Sequence, residues 1–439
     1  MGRHERFLFR RLEDVESKAR ELGLDLPVSR DIGLLLQPAE AAGRALANRL
    51  AIHPMEGADA EADGGPGELT FRRYERFGTG GCGLIWFEAA AVVPEGRSNP
   101  RQILCLRRNT DGLRRLVDRT RAAAERVGPS HLPLLILQLT HSGRFAKPAG
   151  PRSPSIVRHI PALDALVGLE GGEPVLDDEA LDRLQDDFVK AAGVAAAAGF
   201  DGVDIKACHG YLVSELLGAF GREGRYGGPF ENRTRFLRET VGRIRDRLPG
   251  LIVAVRLNAA DALPFPFGFG AEPGDPAGMN FDEAKALVRI LVGSGLGLLN
   301  VTMGIPFQRP QIGRPFNRPV RGGEIPEEHP LEGVARLIGA AAEIQAAIPG
   351  LPVVGTGYSW LRQFAPFVAA GVLERGKAGL IGFGRMAFAY PDFALDLSRR
   401  GRFDPRRVCL ACSGCSELAR AGRPAGCAVR DRDVYRPTL

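Results

Sequence analysis

Lys206, His209 and Tyr211 place an amine, an imidazole and a phenol within six residues, where the short apolar run at 200–207 ends. Such a set can hold a developing oxyanion and hand over a proton. Side chains alternate along a strand, so Asp204 and Lys206 share one face while Val203 and Ile205 share the other. The polar pair is aimed where the packing pair is not. Each residue alone has an ordinary explanation: Lys206 an ion pair with Asp204, His141 and His209 hydrogen-bonded structural rings, Tyr211 a core aromatic with a satisfied hydroxyl. The case for a site rests on their crowding at one strand end.

A second concentration lies in the last tenth of the chain, where Cys409, Cys412, Cys415 and Cys427 supply four of the seven cysteines. Three thiols spaced C-x₂-C-x₂-C, with a fourth further on, is ligand spacing rather than the scattered usage of a disulfide framework. It suits a [4Fe–4S] cluster, with a closed tetrahedral zinc site as the competing reading. Cys82 and Cys105 read as small packing residues, and Cys208 as a thiol beside His209 with no assigned role.

The elements that must position these residues recur from Asn48 onward. Eight short apolar runs occupy 49–54, 82–88, 132–139, 200–207, 251–258, 296–302, 351–357 and 378–384, with helical periodicity between them. Before the fourth run, Leu181, Leu184, Phe188, Ala191 and Ala195 recur at helical spacing behind a capping Asp177. Strand and helix alternating eight times predicts an α/β fold with a closed parallel (β/α)₈ barrel, against an open doubly wound sheet. Residue placement favours the barrel, because Glu88, Gln138, His141, Lys206, His209, Arg256, Asn258, Thr302, Gly384 and Arg385 all fall at or past the C-terminal ends of these runs. In a barrel those ends share one mouth. The organisation expected is an N-terminal helical extension over 1–44, a barrel over 45–400 and a Cys-rich segment over 401–439. The extension carries an amphipathic stripe of Leu8, Leu12, Val15, Ala19 and Leu22. Segments 55–68, 147–176 and 304–330 are rich in Gly, Pro and charge, and are expected to shape access to the mouth.

Composition narrows the class. The chain has 439 residues, 44% hydrophobic and 25% charged, with a formal net charge of +6. Its arginines are spread along the whole length without a basic tract interleaved with aromatics, which argues against nucleic acid as a partner. No apolar run is long enough for a membrane helix, and the N-terminus is charged, so a soluble cytoplasmic protein is expected.

The segments NRLAIHPM (48–55), QLTHSGR (138–144), CHGYL (208–212), RYGGPFENRTRF (225–236) and IGFGRMAFAYPDF (381–393) resemble, in order, the old yellow enzyme family of flavin-dependent ene-reductases. The cysteine group resembles that of the 2,4-dienoyl-CoA reductase and trimethylamine dehydrogenase branch. There the barrel carries FMN and a [4Fe–4S] cluster ahead of a separate FAD and nucleotide domain. Only twelve residues follow Cys427 here, so the chain is expected to work without that domain. The resemblance implies that Pro54, Met55, Glu56 and Ala89 line FMN, that Gln138 and Arg256 bond its pyrimidine ring, and that Gly357, Gly384 and Arg385 hold its phosphate. A guanidinium suits the charge a reduced flavin gathers, and free amides with an arginine suit a phosphate. The short run Glu231, Asn232, Arg233 and Arg235 reads as a helix start with its own ion pairs.

By the same resemblance, a hydride from NAD(P)H, or electrons entering by the cluster, reduces the flavin, which then reduces an activated C=C bond of an enone, enoate or enoyl thioester. Lys206 and His209 would bond the substrate oxygen and Tyr211 would protonate the α-carbon. An FMN/iron–sulfur amine dehydrogenase or demethylase, and an electron-transfer flavoprotein subunit, are the alternatives. Expected partners are a small unsaturated substrate, a ferredoxin-like or reductase protein donating electrons near the cysteines, and a second copy of the chain. Two departures bear on specificity. Lys206 stands where the family usually has histidine, adding a charge that favours anionic acceptors. Glu56 stands where threonine or cysteine is common, and a carboxylate there opposes flavin reduction.

Overall fold

In the computed structural model, which describes residues 4–128 and 131–436, each of the eight apolar runs contains one strand. The first three residues of the N-terminal extension and the last three of the Cys-rich segment lie outside the described residues. The strands are β1 (Leu50–Ile52), β2 (Leu84–Ala91), β3 (Leu134–Thr140), β4 (Gly202–Ala207), β5 (Ile252–Asn258), β6 (Leu298–Thr302), β7 (Val353–Gly355) and β8 (Leu380–Phe383). Every strand pairs in parallel with the next, and β8 returns to β1, so the sheet is a closed barrel and not an open doubly wound one.

Helices cover the barrel because their apolar stripes have nowhere else to go. The helix Asp178–Ala197 buries Leu181, Leu184, Phe188, Ala191 and Ala195, and Asp177 caps it by accepting from the Ala180 amide at 2.7 Å. An antiparallel hairpin, Ala39–Ala41 with Arg44–Leu46, closes the other end. Its Ala41 and Leu46 pack into one apolar cluster with Leu84, Leu134, Ile252 and Leu298, the first residues of β2, β3, β5 and β6. The N-terminal floor of the barrel is therefore sealed, and the strands' C-terminal ends form the open face.

Two local details depart from the sequence reading. The register of β2 slips between Phe87 and Ala89, and this bulge turns Glu88 away from the mouth toward Arg73 on the helix Glu68–Gly78. Leu8 is 81% exposed and leaves the expected stripe, because the helix begins only at Leu12. Phe7 is buried instead, edge-on to Trp360 and stacked with Phe364.

Asn317, in the long 304–330 connection, ties the periphery together. Its Oδ1 accepts from the Phe7 amide and from Trp360 Nε1, while its Nδ2 donates to Leu410 O and its amide to Ala411 O. One side chain thus fixes the N-terminal arm, the β7 connection and the cysteine segment. Among the described residues no helix is long and apolar enough to cross a membrane.

Candidate active site

Parallel register sets Gln138 of β3 beside Asp204 of β4, and Lys206 of β4 beside Arg256 of β5. Asp204 is the fixed point of this layer. It accepts from Gln138 Nε2 at 2.5 Å, Trp86 Nε1 at 2.9 Å and the Arg256 amide at 2.6 Å. Burial still pushes its carboxyl up to about 6, against the pull of those donors. The expected Asp204 to Lys206 pair does not form. Lys206 Nζ lies 3.5 Å from Glu56 Oε1 and 3.7 Å over the centroid of the Tyr211 ring. The other Glu56 oxygen accepts from Ser98 Oγ at 2.6 Å.

Beyond β4 the chain turns through two left-handed residues, His209 at φ 67° and Gly210 at φ 71°. Histidine tolerates that region better than bulky residues, and the turn projects its ring back over the mouth. Burial and the nearby Arg256 and Lys206 charges hold the imidazole well below its usual range, which favours the neutral ring. Burial likewise raises the Tyr211 phenol far above its ordinary value.

These side chains face one cavity of about 500 Å³, lined by Pro54, Met55, Glu56, Gln138, Lys206, His209, Tyr211 and Arg256 among others. Arg256 is only 7% exposed, yet its guanidinium has no hydrogen-bond partner among the described residues, and its Nε is buried and unsatisfied. A buried orphan cation is expensive unless a ligand completes it. The chemistry of this wall, an unpaired guanidinium beside an amide held by Asp204, fits a planar electron-rich ring such as the flavin pyrimidine.

The remaining expected contacts divide. Ala89 is buried behind the wall with its carbonyl taken by Gln102 Nε2 at 2.9 Å, and it does not line the cavity. Gly357 and Gly384 do not line it either. A Cβ on Gly384 would come within 3.0 Å of Met55 Sδ, so this glycine lets Met55 seat at the mouth. Arg385 donates to Pro315 O at 2.7 Å and faces the cysteines, with Nη1 buried and unsatisfied. Sequence reasoning missed Arg314, which reaches the cavity from the 304–330 connection with Nε buried and unsatisfied. Burial first, then the Arg385 charge, push its guanidinium down to about 10. The two guanidinium groups repel each other, and their charge and donors suit a dianion. No motif marks Arg314 in the sequence.

Other polar residues at the strand ends are structural. Glu88 pairs with Arg73 at 2.5 Å. His141 Nδ1 accepts from the Gly143 amide at 3.0 Å, and burial pushes the ring down to about 4. Asn258 Nδ2 donates to Asp261 and to Gly304 O. Arg233 and Arg235 brace the adjoining turn, Arg233 through Glu283 and Leu217 O, Arg235 through Arg225 O.

Cys409, Cys412, Cys415 and Cys427 line one small cavity together with Arg385 and Phe388. Cys415 and Phe388 also line the mouth cavity, so the two spaces adjoin. The expected metal centre is not preformed: among the described residues no set of three or more Cys, His, Asp or Glu side chains is gathered closely enough to hold an ion. Burial pushes the Cys409 thiol up to about 12 and raises that of Cys427.

A closed parallel barrel with a polar cavity at the strands' C-terminal ends defines a (β/α)₈ protein of the enzyme-bearing kind. The model of the NADH:flavin oxidoreductase / NADH oxidase family matches residues 35–287, and the chain belongs to that family. Membership implies FMN and NAD(P)H. An NADH oxidase of Thermoanaerobacter brockii is 26% identical over 376 residues, 84% of this chain and 51% of the relative. A 2-naphthoyl-CoA reductase complex superposes with a TM-score of 0.72 at 18% identity, covering 91% of this chain and 57% of that one. The old yellow enzyme homologue of Zymomonas mobilis gives a TM-score of 0.61 at 21% identity, over 85% of this chain and 94% of that one. The chain spans about half the length of the curated relatives it matches over most of its own length.

Proposed function

We propose that this chain is an FMN-dependent reductase of activated C=C bonds. The observation that carries the reading is one cavity shared by an unpaired buried guanidinium, Arg256, and by three substrate-handling groups, Lys206, His209 and Tyr211. Pro54, Met55, Gln138 and Arg256 would hold the ring of FMN, and Arg314 with Arg385 its phosphate. When bound, FMN supplies the hydride. Lys206 Nζ and the neutral His209 ring bind the carbonyl or carboxylate oxygen and offset the negative charge that grows there. Tyr211 keeps its proton in the resting site and gives it to the α-carbon as that carbon becomes basic. Asp204 holds Gln138 in orientation and takes no part in the proton transfer.

The four cysteines are proposed as ligands of an iron–sulfur cluster on the strength of their spacing and their common cavity. Iron and sulfide analysis of protein isolated without oxygen tests this. Equal iron in the wild type and in Cys409→Ser/Cys412→Ser removes the assignment.

Anaerobically reduced protein mixed with enones, enoates or methylated amines tests the reaction. Reoxidation by an alkene is expected; bleaching of the oxidised flavin by an amine would replace the reading with amine oxidation. Tyr211→Phe should slow alkene turnover about 100-fold while flavin reduction by NAD(P)H continues. Equal loss in both half-reactions would remove Tyr211 as proton donor.

A further inference from the structure

The outer part of the mouth cavity carries three cations that the proposed reduction does not use. Lys147 follows β3, Arg152 lies six positions short of the helix-bearing stretch at 158–167, and Arg420 ends the helix Gly414–Arg420 of the Cys-rich segment. They are brought together from distant parts of the chain. Arg152 and Arg420 are close enough that their charges add to burial in lowering the Lys147 amine. None of the three has an ion-pair partner among the described residues; the Arg420 guanidinium donates to Pro306 O at 3.1 Å, a neutral acceptor. The one acid among the described residues that line the cavity, Glu56, is engaged by Lys206 and Ser98 at the hydrogen-bonding end.

Between the two ends runs an apolar wall. Phe145 stacks on Phe307 with ring centroids 4.0 Å apart, and Phe307 in turn faces Tyr211 at 6.5 Å. Phe307 is 37% exposed although it lines the cavity. An aromatic surface left open between a hydrogen-bonding end and a cationic end is shaped for a molecule with the same three parts.

We propose that the substrate is an amphipathic anion: an unsaturated carbonyl or carboxyl head at Lys206 and His209, an apolar body along Phe145 and Phe307, and a second anionic group, carboxylate or phosphate, at Lys147, Arg152 and Arg420. This deepens the proposed reduction and rests on it for the identity of the head group. Three like charges held together without acids repel one another, and a bound anion is what relieves that repulsion. The outer cations bind substrate; the flavin phosphate is assigned to the deeper Arg314 and Arg385.

The test compares an α,β-unsaturated diacid with its ester at the end remote from the double bond, over a series of chain lengths, in the FMN-loaded protein. In the wild type the diacid should have the lower KM at one preferred length. Lys147→Ala and Arg420→Ala should each reduce that advantage about tenfold, through KM and not kcat. An advantage unchanged by both substitutions, or no advantage at any length, overturns the proposal. The saturated diacid, which cannot be reduced, gives a readout independent of turnover: its Kd, followed by perturbation of the flavin spectrum, should weaken about tenfold in the same variants. If nothing is reduced but this Kd shift appears, the reductase reading fails and the anion site stands. If reduction proceeds and the Kd is the same in all variants, the anion site fails alone. A phosphate-ended analogue binding more tightly than the carboxylate names phosphate as the second group. Loss of FMN binding in Lys147→Ala would reassign these cations to the cofactor and overturn the proposal.

Discussion

Two regions of this molecule bury arginine in opposite ways. In the turn that follows β3 Arg144 is fully enclosed and paired: its guanidinium bonds the carboxylates of Asp164 and Glu215 and the carbonyl of Arg158. Arg256 and Arg314 at the mouth, and Arg385 beside the cysteines, each have a buried unsatisfied nitrogen and no carboxylate partner among the described residues. The first arrangement is complete as it stands; the second is complete only with a ligand. Pairing, more than burial or residue type, therefore separates Arg144 from Arg256. The Arg73, Asp59 and Glu88 set is paired in the same way, which is why Glu88 is structural although its sequence position pointed to the mouth.

The contrast breaks if Arg144→Met is mild. Removing this one cation leaves Asp164 and Glu215 buried without compensation, which should lower unfolding free energy by about 3–5 kcal/mol. Chemical denaturation checks it, and adding Asp164→Asn and Glu215→Gln should return part of the loss.

Asp204 sits between the two cases, an acid buried at the site and satisfied by neutral donors. Its folded value of about 6 exceeds an unfolded value near 4, so the native state holds an extra proton between those limits. Stability should therefore fall as pH rises through that window and level off above it, by about 3 kcal/mol in total. Comparing the pH dependence of unfolding in the wild type and in Asp204→Asn isolates this slope, whatever the substitution does to absolute stability. Parallel curves would mean that Asp204 is ionised throughout.

How much of this was legible beforehand follows from what kind of information each feature needs. The eight strands announce themselves as apolar runs, because a parallel strand covered on both faces has few polar positions. Gln138, Lys206 and Arg256 were readable for a related reason: a polar residue ending such a run has only the mouth to face. Glu88 looked identical in sequence, and only the bulge at Phe87 and Ala89 sends it outward. Arg314, Lys147 and Phe307 were invisible because they come from long connections whose path no periodicity dictates. Gly384 and Arg385 were placed on the correct strand end, but the direction of a long flexible side chain is set by its packing neighbours, here Pro315 and the cysteine segment.

Arg256→Met sharpens the comparison with opposite signs for two measurements. The flavin-free variant should be at least as stable as the flavin-free wild type, since an unpaired buried charge is gone, whereas FMN affinity should fall roughly 10- to 100-fold, the worth of a charge-assisted hydrogen bond. A variant destabilised to the degree of Arg144→Met would place Arg256 with the structural arginines.

Glu56→Gln gives the smallest effect and the finest test. Glu56 is the only acid among the described residues that line the mouth, and its contact with Lys206, at 3.5 Å, keeps that amine from being wholly unpaired. The pair is partly open to the cavity, so its coupling belongs in the range of a weak ion pair, about 0.2–1 kcal/mol. Releasing Lys206 should accordingly tighten a small monoanion such as acetate by about 1.5- to 5-fold, read as a lower Kd in the flavin spectrum, with affinity for a neutral amide of the same shape unaltered. Equal changes for anion and amide would show that the substitution reshapes the cavity instead of uncovering charge, and Lys206 would then count with Arg144 among the paired structural cations.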